Sequence, residues 1–70
     1  MAPETNSEHP GNCIVRKASA DRYDAIKVGE KGREVIRKDA SFDYAVAKTH
    51  LAGGRVWYQE GDLIELFKMR

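Results

Sequence analysis

Cysteine is nearly missing from this sequence. Cys13 stands alone among seventy residues, which excludes an internal disulfide framework and most zinc folds. Histidine is almost as scarce, with only His9 and His50. Neither sign of charge dominates: twelve Lys and Arg face eleven Asp and Glu, a net charge of +1, so total charge marks neither a polybasic binder nor an acidic mimic. Long hydrophobic runs are absent as well. The longest, Tyr44-Ala45-Val46-Ala47, is far short of the roughly 20 apolar residues that span a bilayer, and nothing resembles a secretory leader. The expected setting is therefore the cytoplasm, with no membrane partner. Proline occurs only at Pro3 and Pro10, so no proline interrupts the rest of the chain.

Both prolines fall in residues 1–12, where no apolar side chain exceeds Ala2 after the first methionine. Such a stretch buries too little surface to offset the entropy of ordering it, and it reads as a flexible tail. Residues 13–70 then form one small domain, with no internal repeat and no low-complexity tract.

The pattern from Cys13 onward predicts strands first. Cys13 to Lys17 is short and β-branched, and Tyr23 to Val28 mixes alternation with β-formers before Gly29. Gly29-Glu30-Lys31-Gly32 reads as a hairpin loop, because its two glycines supply the positive φ a tight turn needs. Arg33 to Lys38 is the returning strand. Ser41 then offers a helix N-cap, Asp43 an acid in the first turn, and Gly53-Gly54 a stop. Phe42, Ala45, Val46 and Thr49 fall at helical spacing between them. Arg55–Gln59 and Asp62–Lys68, joined at Glu60-Gly61, make a second hairpin. The expected fold is α+β: a small antiparallel sheet in the order β-β-β-α-β-β with a single short helix packed on one face.

One short helix covers one face only, yet both faces of the strands carry apolar groups. Val56 and Tyr58 point opposite to Trp57, Ile64 and Leu66 opposite to Leu63 and Phe67, and Ile26 and Val28 opposite to Tyr23 and Ala25. Either the sheet curls strongly, with Trp57 capping its barrel-like end, or an aromatic surface stays open for a partner. Trp57 shares its face with Arg55 and Gln59, which favour water, so the pattern puts Tyr58 beneath the helix and leaves Trp57 exposed. Charge adds a second asymmetry. Residues 16–38 hold eight bases against four acids, which suits phosphates or an acidic protein surface, or serves only to keep edge strands soluble.

Catalytic and metal-binding groups are sparse. Cys13 and His50 are the one conceivable nucleophile and base, and nothing in the spacing brings them together; Cys13 reads instead as a small buried hydrophobe. His9 and Cys13 lack a third ligand nearby, so neither a metal nor a cofactor is expected. His50 reads as a partner for the last helix carbonyls. The Gly29–Arg33 loop leads into a strand, not the helix that a phosphate-binding loop requires. Scattered acids such as Asp39 and Asp43 have little volume around them for a closed site. The chain reads as not an enzyme.

Three likenesses bear on function. Gly32-Arg33-Glu34-Val35-Ile36-Arg37-Lys38, with Glu60-Gly61-Asp62-Leu63-Ile64-Glu65-Leu66, resembles the two ends of the swapped-hairpin motif of AbrB-type antitoxins and regulators. That motif carries a proline after the isoleucine and a much shorter connection, and this chain has neither. The β-β-β-α order with basic strands is similar to the sheet-reading DNA-binding domains at integrase N-termini. Size and layout resemble small phage-encoded antagonists, among them some anti-CRISPR proteins.

Two functions follow from different classes. The first is a non-catalytic protein-binding module, of the kind a phage or mobile element uses as an accessory or inhibitor protein, which docks on or occludes its partner. Trp57, Phe67 and Tyr23, with Tyr58 beside them, are its candidate anchors, and Arg33, Arg37 and Arg55 its steering charges. The second is a DNA- or RNA-binding regulator in which Arg16, Lys17, Lys27, Lys31 and Lys38 meet phosphate. A homodimer that hides its second face is the third arrangement the pattern allows.

Overall fold

The computed structural model describes residues 8–67. Five strands form one sheet: β1 (Cys13–Ser19), β2 (Arg22–Gly29), β3 (Gly32–Ala40), β4 (Val56–Glu60) and β5 (Leu63–Leu66). Among the described residues the one helix, α1 (Phe42–Ala52), lies between β3 and β4 in sequence. In space the strands run β3-β2-β1-β4-β5. The expected α+β domain is what forms, and its sheet is antiparallel except at one seam, where β1 and β4 are parallel. That seam has a topological cause. The chain leaves edge strand β3, crosses one face as α1 and re-enters beside β1, so β4 must run in the direction of β3. No helix of the described residues is long and apolar enough to cross a membrane.

Local chemistry explains the elements. Cys13, Ile14 and Val15 are all buried because β1 is paired on both edges and covered on both faces, so its start is a continuous apolar run and not an alternating one. Gly29 and Gly32 face each other across the β2–β3 turn, but of these two glycines expected to supply positive φ only Gly32 does, at 120°. Asp39 adopts a left-handed φ of 59°, which turns the chain out of β3 toward the helix. Arg22 donates to its carboxylate at 3.0 Å. Ser41 caps the helix as its pattern requires, its hydroxyl accepting from the Tyr44 N–H at 3.2 Å, and Gly53 ends it at φ 86°.

Two apolar layers flank the sheet. On the helix side, Cys13, Val15, Ala25 and Val56 pack against Ala45 and Val46 of α1, with Tyr23, Phe42, Tyr58 and Phe67 around them. On the other side, Ile14, Ile26, Val28 and Trp57 form a second buried cluster that no helix covers, edged by Ile64 and Leu66. Alternation thus assigned the faces correctly, with Tyr58 on the helix side and Trp57 opposite. The expected exposure of Trp57 does not hold, for only 4% of its surface is accessible.

Coiling of the sheet buries that second face. Arg33 at the start of β3 donates to Gln59 Oε1 on β4 at 2.9 Å. The two residues are three strands apart and about four residues out of step, which in a flat sheet is about 20 Å. Two extended side chains cannot bridge that distance, so opposite corners of the sheet have folded toward each other over Ile14, Val28 and Trp57. Glu8 grips the same guanidinium, and this contact holds the Glu8 carboxyl below its usual pKa although burial opposes the shift. Arg33, expected to steer a partner, is committed to this clasp.

Residues 8–12, just before β1, belong to the fold. Gly11 N–H donates to the Val28 carbonyl at 2.9 Å and Val28 N–H to the Asn12 carbonyl at 2.8 Å, so β1–β2 pairing extends past Cys13. Residues 8–12, which composition placed in the tail, are thereby bound to β2 and β3; residues 1–7 lie outside the described residues. Gly11 also meets the loop after α1. A Cβ on Gly54, which has φ 77°, would lie 1.9 Å from the Gly11 carbonyl oxygen.

Gly54→Ala is therefore expected to cost about 3 kcal/mol or more, from left-handed strain plus a backbone collision. Gly61→Ala, with φ 59° and open space around its Cβ, is expected to cost about 1 kcal/mol. Urea midpoints of the two variants check the contrast. Trp57→Ala is expected to cost about 3–5 kcal/mol, with wild-type Trp57 fluorescence blue-shifted and shielded from iodide. Its Nε1 is buried with no hydrogen-bond acceptor among the described residues, so Trp57→Phe should cost clearly less than Trp57→Ala.

Candidate functional site

An α-helix is about 10 Å across, whereas five strands span about 19 Å, so α1 cannot roof the whole of its face. It packs chiefly on β2 and β1. Toward β4 and β5 the helix face stays open, and a cleft of about 530 Å³ lies there, lined by Tyr23, Phe42, Tyr58, Glu65, Leu66 and Phe67. Most of the lining follows from simple alternation, with Leu66 reaching the cleft from the opposite face of β5. Tyr23 shares a face with Ala25, Tyr58 with Val56, and Glu65 with Phe67, while Phe42 enters from the first turn of α1.

The four rings brace one another. Phe42 packs edge-on against Tyr23, Tyr58 and Phe67, with centroids 5.1, 6.3 and 5.8 Å apart. Tyr23 and Tyr58 tilt together at 6.4 Å. Edge-to-face contacts of this kind are favourable beyond the area they bury, so the cleft wall is preformed. Its rim is acidic. Tyr58 donates to Glu60 Oε1 at 2.9 Å, and Glu60 also meets Lys17 Nζ at 3.6 Å. Desolvation, the charge-bearing hydrogen bond to Glu60 and the neighbouring Tyr23 push the Tyr58 phenol up to about 12. Glu65 is exposed and has no ion pair among the described residues.

The residues expected as partner contacts divide. Tyr23 and Phe67 come together in this cleft. Trp57 is buried on the opposite face, and Arg33 is held by Glu8 and Gln59. Arg37 stacks over the Tyr44 ring at 5.1 Å, away from the cleft lining. Arg55 lies just before β4, where its carbonyl accepts the Cys13 N–H at 2.7 Å. Sequence reasoning passed over Phe42, Glu65 and Leu66, and gave Tyr58 both a place beneath the helix and a place among the anchors. Glu65 had a legible signal, as the lone acid between Ile64 and Leu66 on a C-terminal edge strand.

Of the five bases expected to meet phosphate, Arg16 and Lys38 both lie near Asp24, and the other three are scattered. Arg16 binds the buried Asp24 at 3.0 Å on the face away from the helix. Burial pushes the Asp24 carboxyl up, but the Asp39 N–H, Arg16 and Lys38 outweigh it and its pKa falls below the usual value. Lys17 pairs with Glu60 on the helix side, Lys27 lines a separate cleft with Lys48 and Leu51, and Lys31 sits in the β2–β3 turn. Cys13 is fully buried, its Sγ 3.4 Å from the Gly53 carbonyl, and burial pushes its thiol pKa up although Lys27 opposes the shift. Among the described residues no three His, Cys, Asp or Glu side chains are grouped to hold a metal ion.

Comparison with protein-family models, with curated proteins and with solved structures finds no match to this chain.

The raised Tyr58 pKa fixes an alkaline signature. The folded state holds this proton more tightly than an unfolded tyrosine, whose pKa is about 10. The associated stability is present below pH ~10 and is lost as pH rises toward ~12. Ultraviolet titration of tyrosinate should show one late transition near pH ~12 that is missing in Tyr58→Phe, and the fall in denaturation midpoint across that range should shrink in the same variant.

Proposed function

We propose that this chain is a non-catalytic protein-binding module that docks its partner at the aromatic cleft beside β5. The observation that carries this reading is the cleft itself: Tyr23, Tyr58 and Phe67 form an open, braced aromatic wall where α1 leaves the helix face bare beside β4 and β5. Aromatic side chains held rigidly beside a polar rim are the groups that dominate binding hot spots, because they bring contact area with little entropy left to lose. The character of Cys13 supports the non-catalytic half of the proposal. A buried thiol with a raised pKa, directed at a backbone carbonyl, makes a poor nucleophile. Arg16 and Lys38 share the neighbourhood of Asp24, but Lys17 and Lys27 on the helix face and Lys31 in a turn break any continuous basic track, which weighs against the nucleic-acid reading.

The test is affinity capture from lysate of the native host, with and without nuclease, using the full chain and its Phe67→Ala variant. Both proteins are first compared by circular dichroism to establish that each is folded. The wild type should retain a stoichiometric protein after nuclease treatment, and Phe67→Ala should lose it. Retention of nucleic acid alone, or equal capture by the variant, overturns the proposal.

A further inference from the structure

The two edges of the sheet are built differently. Edge strand β3 carries Arg33, Glu34, Arg37, Lys38 and Asp39, and its pairing with β2 is broken by two register shifts. Charge and bulges of this sort keep a foreign strand from adding on. Edge strand β5 has no bulge and a single charge. It pairs with β4 in unbroken register, and its residues Leu63, Ile64, Glu65 and Leu66 include one charge and no base.

The hydrogen bonding of β5 shows which backbone groups turn to its outer side. Phe67 N–H donates inward to the Val56 carbonyl at 2.9 Å. In an antiparallel pair the backbone groups of successive residues point alternately to either side, so Leu63 and Glu65 also face β4. Ile64 and Leu66 then turn N–H and C=O outward, two residues apart, as an incoming strand requires. Between them, on the helix face, stands Glu65, which lines the aromatic cleft and has no ion pair among the described residues.

From this juxtaposition we infer that β5 accepts an extended segment of a partner protein as a sixth strand, with a Lys or Arg of that segment set against Glu65 and laid over the Tyr58 and Phe67 rings. This rests on the protein-binding reading above and specifies its partner. Backbone pairing at Ile64 and Leu66 supplies the docking, and the cleft selects the side chain. A cross-strand neighbour of Glu65 lies about 5 Å away, where opposite charge is favourable and like charge is not. The aliphatic stem of a lysine fits the apolar wall while its ammonium reaches Glu65 and the ring faces. Lys17 does not compete, being paired with Glu60. A second copy of this chain fits less well. Two β5 strands paired about a two-fold axis would set Glu65 against Leu63, Glu65 or Phe67 of the other copy, and none of these is a base.

The experiment is an NMR titration of the full chain with two acetylated heptapeptides of alternating threonine and valine, one with a central lysine and one with a central glutamate. The lysine peptide should shift the Ile64 and Leu66 amides and the Tyr58 and Phe67 ring signals, and should bind about tenfold more tightly than the glutamate peptide. In Glu65→Lys, an exposed substitution expected to leave the fold intact, the preference should reverse. Equal affinity for the two peptides, shifts centred on β3, or no binding by either overturns the inference. So does sedimentation showing that β5 is occupied by a second copy. Loss of the lysate partner in Phe67→Ala together with its full retention in Glu65→Lys would sink the basic-strand inference and leave the docking cleft standing.

Discussion

Burial of Trp57 depends on how far the sheet coils, and most of the architecture follows from that burial. A single helix can protect one face, so the other must protect itself by becoming concave. The contact between Arg33 and Gln59 is the visible sign that it has, because it joins corners that a flat sheet would hold far apart. Trp57 supplies the bulk that fills the resulting hollow against Ile14, Ile26 and Val28. Its indole N–H meets no acceptor among the described residues, so volume rather than hydrogen bonding selects the side chain there.

The same coiling accounts for the segment ahead of β1. Glu8 completes the hold on Arg33, and Gly11 lies against Gly54 closely enough to exclude any side chain at that position. Three parts of the chain remote in sequence, namely the entry to β1, the start of β3 and the exit from α1, are thereby tied together. In so small a domain such ties do the work that a larger core does elsewhere.

Function, on the reading proposed here, is a by-product of the helix being narrow. With one face closed by coiling, the exposed aromatic surface moves to the end of the other face that α1 does not reach. There Phe42 anchors the rings of Tyr23, Tyr58 and Phe67, and the least protected edge of the sheet runs alongside. A binding surface and an open edge in the same place share one cause, namely that β4 and β5 lie beyond the helix's reach.

Local chemistry in the sequence determined the elements and their faces. Ser41 and Gly53 bound the helix, Gly29 and Gly32 close the β2–β3 turn, and alternation puts Tyr58 and Trp57 on opposite sides, because capping, positive φ and the two-residue strand period act within a few residues. Tertiary structure alone decided that β1 and β4 are parallel neighbours, that Trp57 is covered, and that Tyr23, Phe42, Tyr58 and Phe67 meet. Each of those depends on strand order and coil, which sum small twists over the whole sheet. Exposure of an apolar residue is likewise a property of what passes over it, and Arg33, Gln59 and Glu8 reach the Trp57 face from three separate stretches of the chain.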